Sequence, residues 1–251
     1  MKSTLTPTAP GTRPAGVAAD QAARHVRGMF DEIAPTYDRL NHLLSLSVDR
    51  YWRRRTVRAV RQRLAVGQDS RPILDVCCGT GDLTLALRAG LGAGVKVLGA
   101  DFSGVMLSRA QAKGPELGWL QADGLHLPFA DGSFAAIATA FGFRNLADYR
   151  AGLAEFRRLL QPGGVVAILE VARPTVPVLG PLYQFYFERL LPRLGGWISG
   201  HPEAYRYLPS SVSRFPAPPE LAVWMREAEF RAVEYQRLSG GIATLHLGIR
   251  P

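Results

Sequence analysis

The sequence predicts an α/β fold with a doubly wound, mostly parallel sheet that ends in a C-terminal antiparallel hairpin. Short, nearly continuous apolar runs alternate with helical patterns along the chain, which is typical of a parallel sheet covered by helices on both faces. These runs occupy residues 73–78, 95–101, 119–123, 134–140 and 165–171. The last two predicted strands, residues 232–238 and 242–249, alternate apolar and polar residues and flank a Ser-Gly-Gly sequence, which indicates a hairpin.

Two further segments are predicted to cover this sheet. We expect residues 1–20, which are rich in Pro, Thr, Ala and Gly, to form a disordered tail, and residues 21–251 to form one domain. Apolar residues recur at helical spacing in segment 21–65, so we expect a helical N-terminal cover there. Segment 174–216 carries many aromatic residues and prolines and is expected to form a second cover of irregular helices.

The composition excludes several classes of protein. Of the 251 residues 47% are hydrophobic and 20% are charged, which is ordinary for a globular protein and argues against wholesale disorder. No apolar run reaches the roughly 18 residues of a membrane-spanning helix, and the first residues lack the apolar core of a signal peptide, so we expect a cytoplasmic protein. The two cysteines, Cys77 and Cys78, are adjacent and lack the spaced partners of a zinc site, so we expect no metal.

The basic charge does not by itself indicate a nucleic-acid-binding protein. The formal net charge is +9 and the isoelectric point is near 10.1, which would suit a nucleic-acid partner. However, only Lys2, Lys96 and Lys113 among the 30 basic residues are lysines, a skew typical of codon bias. The arginines are spread along the chain apart from one cluster at residues 50–63. We therefore favour a partner other than nucleic acid.

Three consecutive predicted strands end in residues suited to a nucleoside. The Gly-Thr-Gly sequence at residues 79–81 allows a ligand to approach the backbone, and the following helix offers free N–H groups. Asp101 ends the second strand and can accept hydrogen bonds from ribose hydroxyls, and Asp123, followed by Gly124, ends the third and can accept from an adenine amino group. Ligands of open parallel sheets bind at this edge, although each aspartate could instead cap the segment that follows it.

S-adenosylmethionine fits these residues better than a dinucleotide does. A dinucleotide site requires a third glycine where this chain has Thr84, and the pyrophosphate would lie beside Asp82. S-adenosylmethionine carries a ribose, an adenine and a methionine ammonium group but no phosphate, so the acids Asp82, Asp101 and Asp123 suit it. The sequence therefore predicts an S-adenosylmethionine site.

The motifs at these strand ends resemble those of class I, Rossmann-like S-adenosylmethionine-dependent methyltransferases. They are Ile-Leu-Asp-Val-Cys-Cys-Gly-Thr-Gly-Asp at residues 73–82, Leu-Pro-Phe at 127–129 with Asp131, and Leu-Gln-Pro-Gly-Gly at 160–164. Further segments resemble one family, the ubiquinone/menaquinone biosynthesis C-methyltransferases. They lie at residues 29–38, 41–47, 141–145, 205–208, 213–216 and 240–246. The chain departs from the family at Cys77 and Cys78, where many members have Ala-Gly, and at Asp123 and Gly124, where Asn-Ala is common.

The resemblance implies a set of residues around the cofactor. Those expected to contact S-adenosylmethionine or to shape its loop are Gly79, Thr80, Gly81, Asp101, Asp123 and Gly124. Tyr37 and Asp38 lie in the family's N-terminal cover and are expected to close over the methionine end of the cofactor. Plain packing of the cover is the alternative for Tyr37.

The resemblance also implies methylation of a ring carbon, which requires a group that stabilises an ionised ring hydroxyl. Arg144 is the first candidate, because a guanidinium can stabilise a phenolate or orient a water. An ion pair with an acid such as Asp148 is the alternative. Secondary candidates are Asn145, Tyr205, Arg206, His201 and His246, although single histidines near a sheet edge are more typical of structural roles.

The family acts on demethylated polyprenyl quinols, so the resemblance implies methyl transfer to demethylmenaquinol, to a ubiquinone precursor quinol, or to both. Three alternatives stay open at this point. The substrate could be another small aromatic or a sterol-like lipid, the chain could be an RNA-binding or RNA-modifying protein, or it could be a non-catalytic relative that binds the cofactor. The intact Gly-Thr-Gly, Asp101 and Asp123 set argues against the last of these.

A polyprenyl tail lies in a bilayer, so such a protein could also lie on the inner membrane face. The arginine-rich run at residues 50–63 and the aromatic stretch at 182–187 could rest on an anionic membrane surface. A solvated helix face is the alternative for the arginine run. For the aromatic stretch the alternatives are core packing or a contact between the two copies of a homodimer.

Overall fold

The computed structural model describes residues 19–64, 71–92, 94–174, 176, 179–193 and 202–251. The predicted tail, residues 1–20, lies outside these ranges except for Ala19 and Asp20, which begin the first helix. The N-terminal cover consists of three helices, α1 (Ala19–Ile33), α2 (Tyr37–Leu44) and α3 (Val48–Arg63). Helix α1 ends two residues before Pro35, since a proline disfavours the helical conformation of the residue that precedes it.

A seven-stranded sheet forms the centre of the molecule. Its strands in chain order are β1 (Ile73–Val76), β2 (Val97–Asp101), β3 (Gly118–Gln121), β4 (Phe134–Ala140), β5 (Leu160–Val171), β6 (Arg231–Leu238) and β7 (Ala243–Ile249). The spatial order is β3-β2-β1-β4-β5-β7-β6. Strands β1 to β5 run parallel, and β7 pairs antiparallel with both β5 and β6. The predicted mostly parallel sheet with a C-terminal antiparallel hairpin is therefore confirmed.

Helices connect the strands and complete the cover. They are α4 (Asp82–Leu91), α5 (Gly104–Lys113), α6 (Tyr149–Leu159), α7 (Leu179–Phe185), α8 (Pro202–Arg214) and α9 (Pro218–Glu227), with a π-helical turn at Tyr186–Leu190. Ser103 caps α5, because its Oγ accepts a hydrogen bond from the Met106 N–H at 3.0 Å. Asp148 caps α6 in the same way, through the N–H groups of Arg150 and Ala151.

Several predicted strand boundaries differ by one to five residues from those observed, and those of β3 and β5 are two of them. Strand β3 ends at Gln121, so Asp123 lies two residues beyond it, in a short bridge with His126. Strand β5 begins at Leu160 instead of residue 165, and its pairing with β4 shifts register across the Gln-Pro-Gly-Gly sequence. The Gln-Pro-Gly-Gly sequence is therefore an irregularity inside a longer strand that begins directly after α6.

The sheet lies between two apolar layers, and the cover adds a third cluster. Phe156 of α6 and Trp224 of α9 pack on one face of the sheet, and Val60 of α3 and Leu87 of α4 pack on the other. The third cluster joins α1, α2, α5, the π-helical turn and α8; its buried residues include Met29, Leu40, Met106, Phe187 and Val212. No helix in the described ranges combines the length and apolar character needed to cross a membrane.

The strand order reverses between β1 and β4. The chain proceeds from β1 to β2 and β3 on one side and then returns to β4 on the other side of β1. Such a reversal opens a crevice at the carboxyl ends of the strands, where open α/β sheets bind ligands.

Candidate active site

A cavity of about 640 Å³ lies at this reversal, between the carboxyl ends of the strands and the N-terminal cover. Its lining residues are Arg24, Arg27, Phe30, Tyr37, Arg53, Asp75, Cys77, Cys78, Gly79, Thr80, Asp82, Leu83, Asp101, Phe102, Met106 and residues 121–126, 140–142 and 145–147. The three predicted strand ends therefore meet in one cavity, as the sequence analysis expects.

The loop after β1 has an unusual backbone conformation. Cys77, Gly79 and Gly81 have φ angles of 56°, 55° and 84°, in the left-handed region that disfavours side chains with a Cβ. Gly142, in the loop after β4, approaches so closely that a Cβ there would lie 2.3 Å from the Cβ of Cys77. Burial raises the pKa of the Cys77 and Cys78 thiols, so neither is a reactive thiolate at neutral pH.

The two glycines of this loop predict different effects of an added methyl group. We expect Gly79→Ala to reduce the free energy of unfolding by about 1–2 kcal/mol, because only the left-handed conformation opposes it and no atom lies within 4 Å of the added Cβ. Gly81→Ala adds a contact at 2.5 Å with the Trp119 ring, so we expect a loss of about 2–4 kcal/mol. Urea denaturation of both variants measures the two losses in free energy of unfolding. Equal losses would show that the Trp119 ring can move aside at little cost.

Asp101 links the first two strand ends. Its carboxylate accepts hydrogen bonds from the Gly79 N–H at 2.8 Å and from the Ser103 N–H at 2.9 Å, one on each oxygen. Each oxygen retains a further lone pair, and the residue lines the cavity. Burial raises the pKa of Asp101 to about 6.

Asp75 is a second buried acid in the cavity, and the sequence analysis did not single it out as a site residue. It lies within β1, and its Oδ2 accepts a hydrogen bond from the Thr84 hydroxyl at 2.6 Å. Its Oδ1 is buried and has no hydrogen-bond partner among the described residues. Burial raises its pKa to about 7. An unsatisfied carboxylate oxygen in a ligand-sized cavity indicates that a donor group of a ligand completes the site.

The raised pKa values predict that cofactor binding depends on pH. In an unfolded chain both carboxyls have the ordinary pKa of 3.8, so the folded, ligand-free protein holds their protons more tightly than the unfolded chain does. This protonation stabilises the ligand-free fold fully below about pH 4, and the stabilisation is lost as the pH rises through 6 and 7. A cationic ligand favours the ionised carboxylates. We therefore expect the affinity for S-adenosylmethionine to rise between pH 5 and pH 8, by up to about tenfold per pH unit below the pKa. Calorimetry across this range measures the affinity at each pH. In Asp75→Asn the rise in affinity near pH 7 should be absent.

Asp123 and Gly124 lie at the rim of the cavity. The Asp123 side chain is 57% exposed, and its Oδ1 accepts a hydrogen bond from the Leu125 N–H at 2.9 Å. A Cβ at Gly124 would lie 3.0 Å from Leu146 and 3.2 Å from Val76, so this position suits glycine sterically. Asp123 therefore both caps its own turn and presents a carboxylate to the cavity.

Thr80 joins the loop after β1 to the cover. Its hydroxyl donates a hydrogen bond to Asp38 of α2, and Lys113 at the end of α5 donates to it at 3.0 Å. The Lys113 ammonium also lies 2.6 Å from Asp38 and 2.8 Å from Asp82. One lysine therefore ties the N-terminal cover to the cofactor loop, a role that the sequence analysis missed.

A second charge network lies beside it. His42, Asp49 and Asp82 bring potential metal-ligating atoms within 4.8 Å of one another. However, the Arg53 guanidinium pairs with Asp49 and lies 3.3 Å from Asp82, so a protein cation already pairs with both carboxylates of this group. Arg53 also lies over the Phe141 ring, 5.9 Å from its centroid.

Tyr37 lies at the start of α2 and lines the cavity, as predicted. Its ring meets Phe30 edge to face at 6.1 Å, and Phe30 in turn meets Phe102 at 6.4 Å. Burial raises the pKa of Tyr37, so its hydroxyl is neutral at physiological pH. Tyr37 therefore packs within the cover, and its closure over a ligand stays a prediction.

Arg144 is buried behind the cavity wall and pairs with Glu170 of β5, not with Asp148. Its Nη1 lies 2.8 Å from Glu170 Oε2, and its backbone N–H donates to Glu170 Oε1 at 2.9 Å. Asp148 is occupied as the cap of α6, which leaves Glu170 as the counter-charge. Arg144 Nη1 also donates to the Phe141 carbonyl, whose residue has a φ of 61°. The Arg144–Glu170 pair therefore fixes the loop that presents Phe141 and Asn145 to the cavity.

The other catalytic candidates are placed very differently. Asn145 lines the cavity and its Oδ1 accepts a hydrogen bond from the Tyr207 hydroxyl at 3.1 Å. His246 is buried in β7, where its Nε2 lies 2.9 Å from the Pro218 carbonyl, and burial lowers its pKa to about 4. His201 lies outside the described residues, as do the side chains of Tyr205 and Arg206 in α8. Among the candidates whose side chains are described, Asn145 lines the cavity directly, and the catalytic roles of Arg144, Asn145 and Tyr205 stay predictions.

The cavity fits S-adenosylmethionine. The unpaired Asp75 oxygen suits a cationic donor, Asp101 suits vicinal hydroxyls, and Asp123 suits an amino group, while the open space at Gly79 admits a ligand to the backbone. The sheet, with β7 inserted antiparallel between β5 and β6, and this cavity at its strand reversal define a class I S-adenosylmethionine-dependent methyltransferase.

Comparison with known proteins supports this class of enzyme and identifies the family within it. A solved S-adenosylmethionine-dependent methyltransferase from Thermotoga maritima has the same fold, with a TM-score of 0.59 and 19% identity over 90% of this chain and 100% of that one. The sequence pattern of the ubiE/COQ5 methyltransferase family matches residues 17–250. The chain belongs to this family.

Two curated relatives match over nearly their whole length. The demethylmenaquinone methyltransferase of Thermus thermophilus is 49% identical, over 89% of this chain and 100% of the relative. The ubiquinone/menaquinone biosynthesis C-methyltransferase UbiE of Citrifermentans bemidjiense is 39% identical, over 93% of this chain and 99% of the relative. The sequence-based identification of the family is therefore confirmed.

Proposed function

We propose that the chain transfers the methyl group of S-adenosylmethionine to a ring carbon of demethylmenaquinol, which yields menaquinol. The observation that carries this proposal is the composition of the cavity, which joins four carboxylates to an apolar, aromatic wall. The wall contains Phe30, Phe102, Met106, Phe141 and Leu146. The carboxylates suit the polar and cationic donor, and the wall suits a flat, apolar ring with an isoprenoid tail.

Bound S-adenosylmethionine supplies an electrophilic methyl group. We infer that the substrate is the reduced quinol, because the oxidised quinone ring is too electron-poor to attack. Ionisation of one ring hydroxyl places negative charge on the adjacent ring carbon, which attacks the methyl carbon in line from a contact of roughly 3–3.5 Å. The new C–C bond would form as the methyl–sulfur bond of the sulfonium breaks, and the neutral thioether S-adenosylhomocysteine would leave. The same carbon then loses its proton and the ring regains aromaticity. Because charge is neutralised along this path, a dry cavity favours it.

The chain's own residues orient the ring and exclude water. We propose that the Asn145 side chain orients the ionised hydroxyl, because it lines the cavity and the hydrogen bond from the Tyr207 hydroxyl to its Oδ1 holds it in place. Arg144, whose charge Glu170 balances, holds the Phe141–Asn145 loop from behind the wall. Asp38 ties the cover to the cofactor loop through Thr80 and Lys113, and together with Tyr37 it closes the cover over the methionine end.

Removal of Arg144 tests this arrangement. We expect Arg144→Ala to lower kcat at least tenfold while S-adenosylmethionine affinity stays near that of the wild type, because Arg144 supports the ring side of the cavity and does not line the donor side. Arg150→Ala is the matched control, since Arg150 is an exposed arginine of α6 that pairs with Glu227. Both variants are assayed at a temperature at which circular dichroism shows them folded. Unchanged kcat in Arg144→Ala would remove Arg144 from the mechanism.

A methyl-transfer assay tests the function itself. With labelled S-adenosylmethionine, we expect transfer to a reduced short-tail demethylmenaquinone analogue and no transfer to the oxidised form. A ubiquinone precursor quinol in a parallel reaction separates the two branches of the family, and the 49% identity to a demethylmenaquinone methyltransferase favours the first. Labelling of RNA instead of either quinol would contradict the proposal.

The tail of such a substrate places the reaction beside a bilayer. A polyprenyl chain is insoluble in water, so we infer that the protein works as a peripheral protein at an anionic membrane surface. The contacts of the aromatic stretch at 182–187 favour core packing over insertion into the bilayer. The rings of Tyr183 and Phe187 stack with their centroids 5.4 Å apart, and both residues belong to the cover cluster. Phe185 of this stretch remains exposed and available to a bilayer or to a second copy.

A further inference from the structure

The turn between α2 and α3 exposes apolar side chains that no described residue covers. Leu43 is 55% exposed, Leu46 83% and Tyr51 48%. We call residues 43–51 the α2–α3 corner. Leu46 and Ser47 have φ angles of 51° and 58°, in the left-handed region that a leucine rarely adopts. Leu46 is thus the most exposed of the described large apolar side chains, and its backbone is strained. Backbone strain of this kind is typical of functional sites.

A stripe of arginines continues from this corner along α3. Its members are spaced four, four and three residues apart on the exposed face of the helix; they are Arg50, Arg54, Arg58 and Arg61. None of the four has a described carboxylate within ion-pair distance, whereas Arg53 on the buried face pairs with Asp49. The stripe is therefore a line of uncompensated positive charge that ends in apolar residues.

The second cover carries a similar surface. Phe185 and Leu190 are 54% and 38% exposed, and Arg189 and Arg193 beside them are also exposed. Their neighbours Phe187 and Leu191 are buried in the cluster that contains Leu40 of α2. Both exposed apolar patches therefore lie on elements that meet in one cover.

We propose that the α2–α3 corner and the arginine stripe form a docking surface for an anionic lipid bilayer. This inference rests on the proposed function, because a quinol whose tail lies in the bilayer must reach the cavity. Exposed leucines beside unpaired arginines are the pattern of interfacial helices, in which apolar side chains enter the acyl boundary and cations meet the headgroups. A nucleic acid would use the arginines but leave Leu43 and Leu46 in water.

The position of the corner relative to the cavity fits this role. Helix α2 begins at Tyr37, which lines the cavity, and ends at Leu44, at the corner. Eight helical residues span about 12 Å. A bilayer at the corner would therefore lie about 12 Å from the substrate cavity, a distance that a few isoprene units of the tail can span.

Flotation with lipid vesicles tests the surface. We expect the wild-type protein to bind vesicles with 30% phosphatidylglycerol at low salt and not vesicles of phosphatidylcholine alone. Since each arginine near an anionic surface strengthens binding about fivefold, Arg54→Ala with Arg58→Ala should weaken it about 25-fold. Leu46→Glu should abolish it. The matched control is Arg226→Ala with Arg231→Ala, two exposed arginines elsewhere that also lack a described partner.

Turnover separates this proposal from the proposed function. We expect the Arg54 and Arg58 variant to methylate a short-tail soluble quinol at the wild-type rate, but to lose turnover on a long-tail quinol embedded in anionic vesicles. If the wild type does not methylate the soluble quinol, the proposed function is wrong, while vesicle binding still decides whether the docking surface exists. Equal weakening in the control pair, unchanged binding in Leu46→Glu, or a change of oligomeric state in place of vesicle binding would overturn the docking surface.

Discussion

Asp101→Asn is expected to weaken S-adenosylmethionine binding by about 100-fold or more. The two carboxylate oxygens of Asp101 accept hydrogen bonds from two backbone N–H groups and face the cavity. Asparagine has one acceptor oxygen, so its NH₂ group would meet the N–H of Gly79 or Ser103 and one acceptor for the ribose would be lost. Hydrogen bonds to a charged group contribute about 1.5–3 kcal/mol each, and 1.4 kcal/mol corresponds to a tenfold change in affinity. Isothermal calorimetry measures the effect.

Asp148→Asn is the control for this substitution. Asp148 also accepts two backbone N–H groups, at the start of α6, but it does not line the cavity. Asparagine caps helices about as well as aspartate does, so we expect binding and stability near those of the wild type. Wild-type affinity in Asp101→Asn would show that the ribose of the cofactor is held elsewhere.

The sheet and the strand ends could be predicted because local patterns determine them. The apolar runs, the Gly-Thr-Gly turn and Asp101 are all contiguous in sequence, and the carboxyl ends of parallel strands must share one edge. Asp123 lies at the cavity as expected, although β3 already ends at Gln121. A strand that ends two residues earlier still leaves Asp123 in the turn at the same edge of the sheet.

Asp75 and Glu170 carried a signal that the sequence analysis did not use. Each interrupts an apolar strand, in the sequences Ile-Leu-Asp-Val and Ile-Leu-Glu-Val. A carboxylate in a buried strand must be paired, neutral or in contact with a ligand, because its desolvation is otherwise too costly. Asp75 proves to face the cavity and Glu170 to pair with Arg144.

The long-range charge pairs could not be read from one sequence. Lys113 lies in the last turn of α5, where a basic residue is ordinary, yet it reaches Asp38, 75 positions earlier in the chain. Asp148 was the nearest acid to Arg144 in sequence, but capping of α6 already satisfies it. Tertiary structure alone decides which of several acids a buried cation meets.

The buried pair of Arg144 and Glu170 predicts the largest change in stability. We expect Glu170→Ala to reduce the free energy of unfolding by about 3–5 kcal/mol, because it leaves the buried guanidinium without its counter-charge. Glu227→Ala is the control. It removes the partner of Arg150 in a pair whose side chains are 46% and 49% exposed, and an exposed pair contributes about 1 kcal/mol at most. Urea denaturation measures both losses.

The double variant Arg144→Met with Glu170→Leu separates stability from turnover. Replacement of both charges by apolar side chains of similar volume leaves no unpaired ion, so we expect it to recover most of the stability lost in Glu170→Ala. Turnover should stay low, because Arg144 no longer donates to the Phe141 carbonyl and the loop that presents Asn145 loses its support. Since S-adenosylmethionine affinity would then be near normal, the defect would fall on kcat. Recovery of turnover together with stability would mean that the ion pair only maintains the fold.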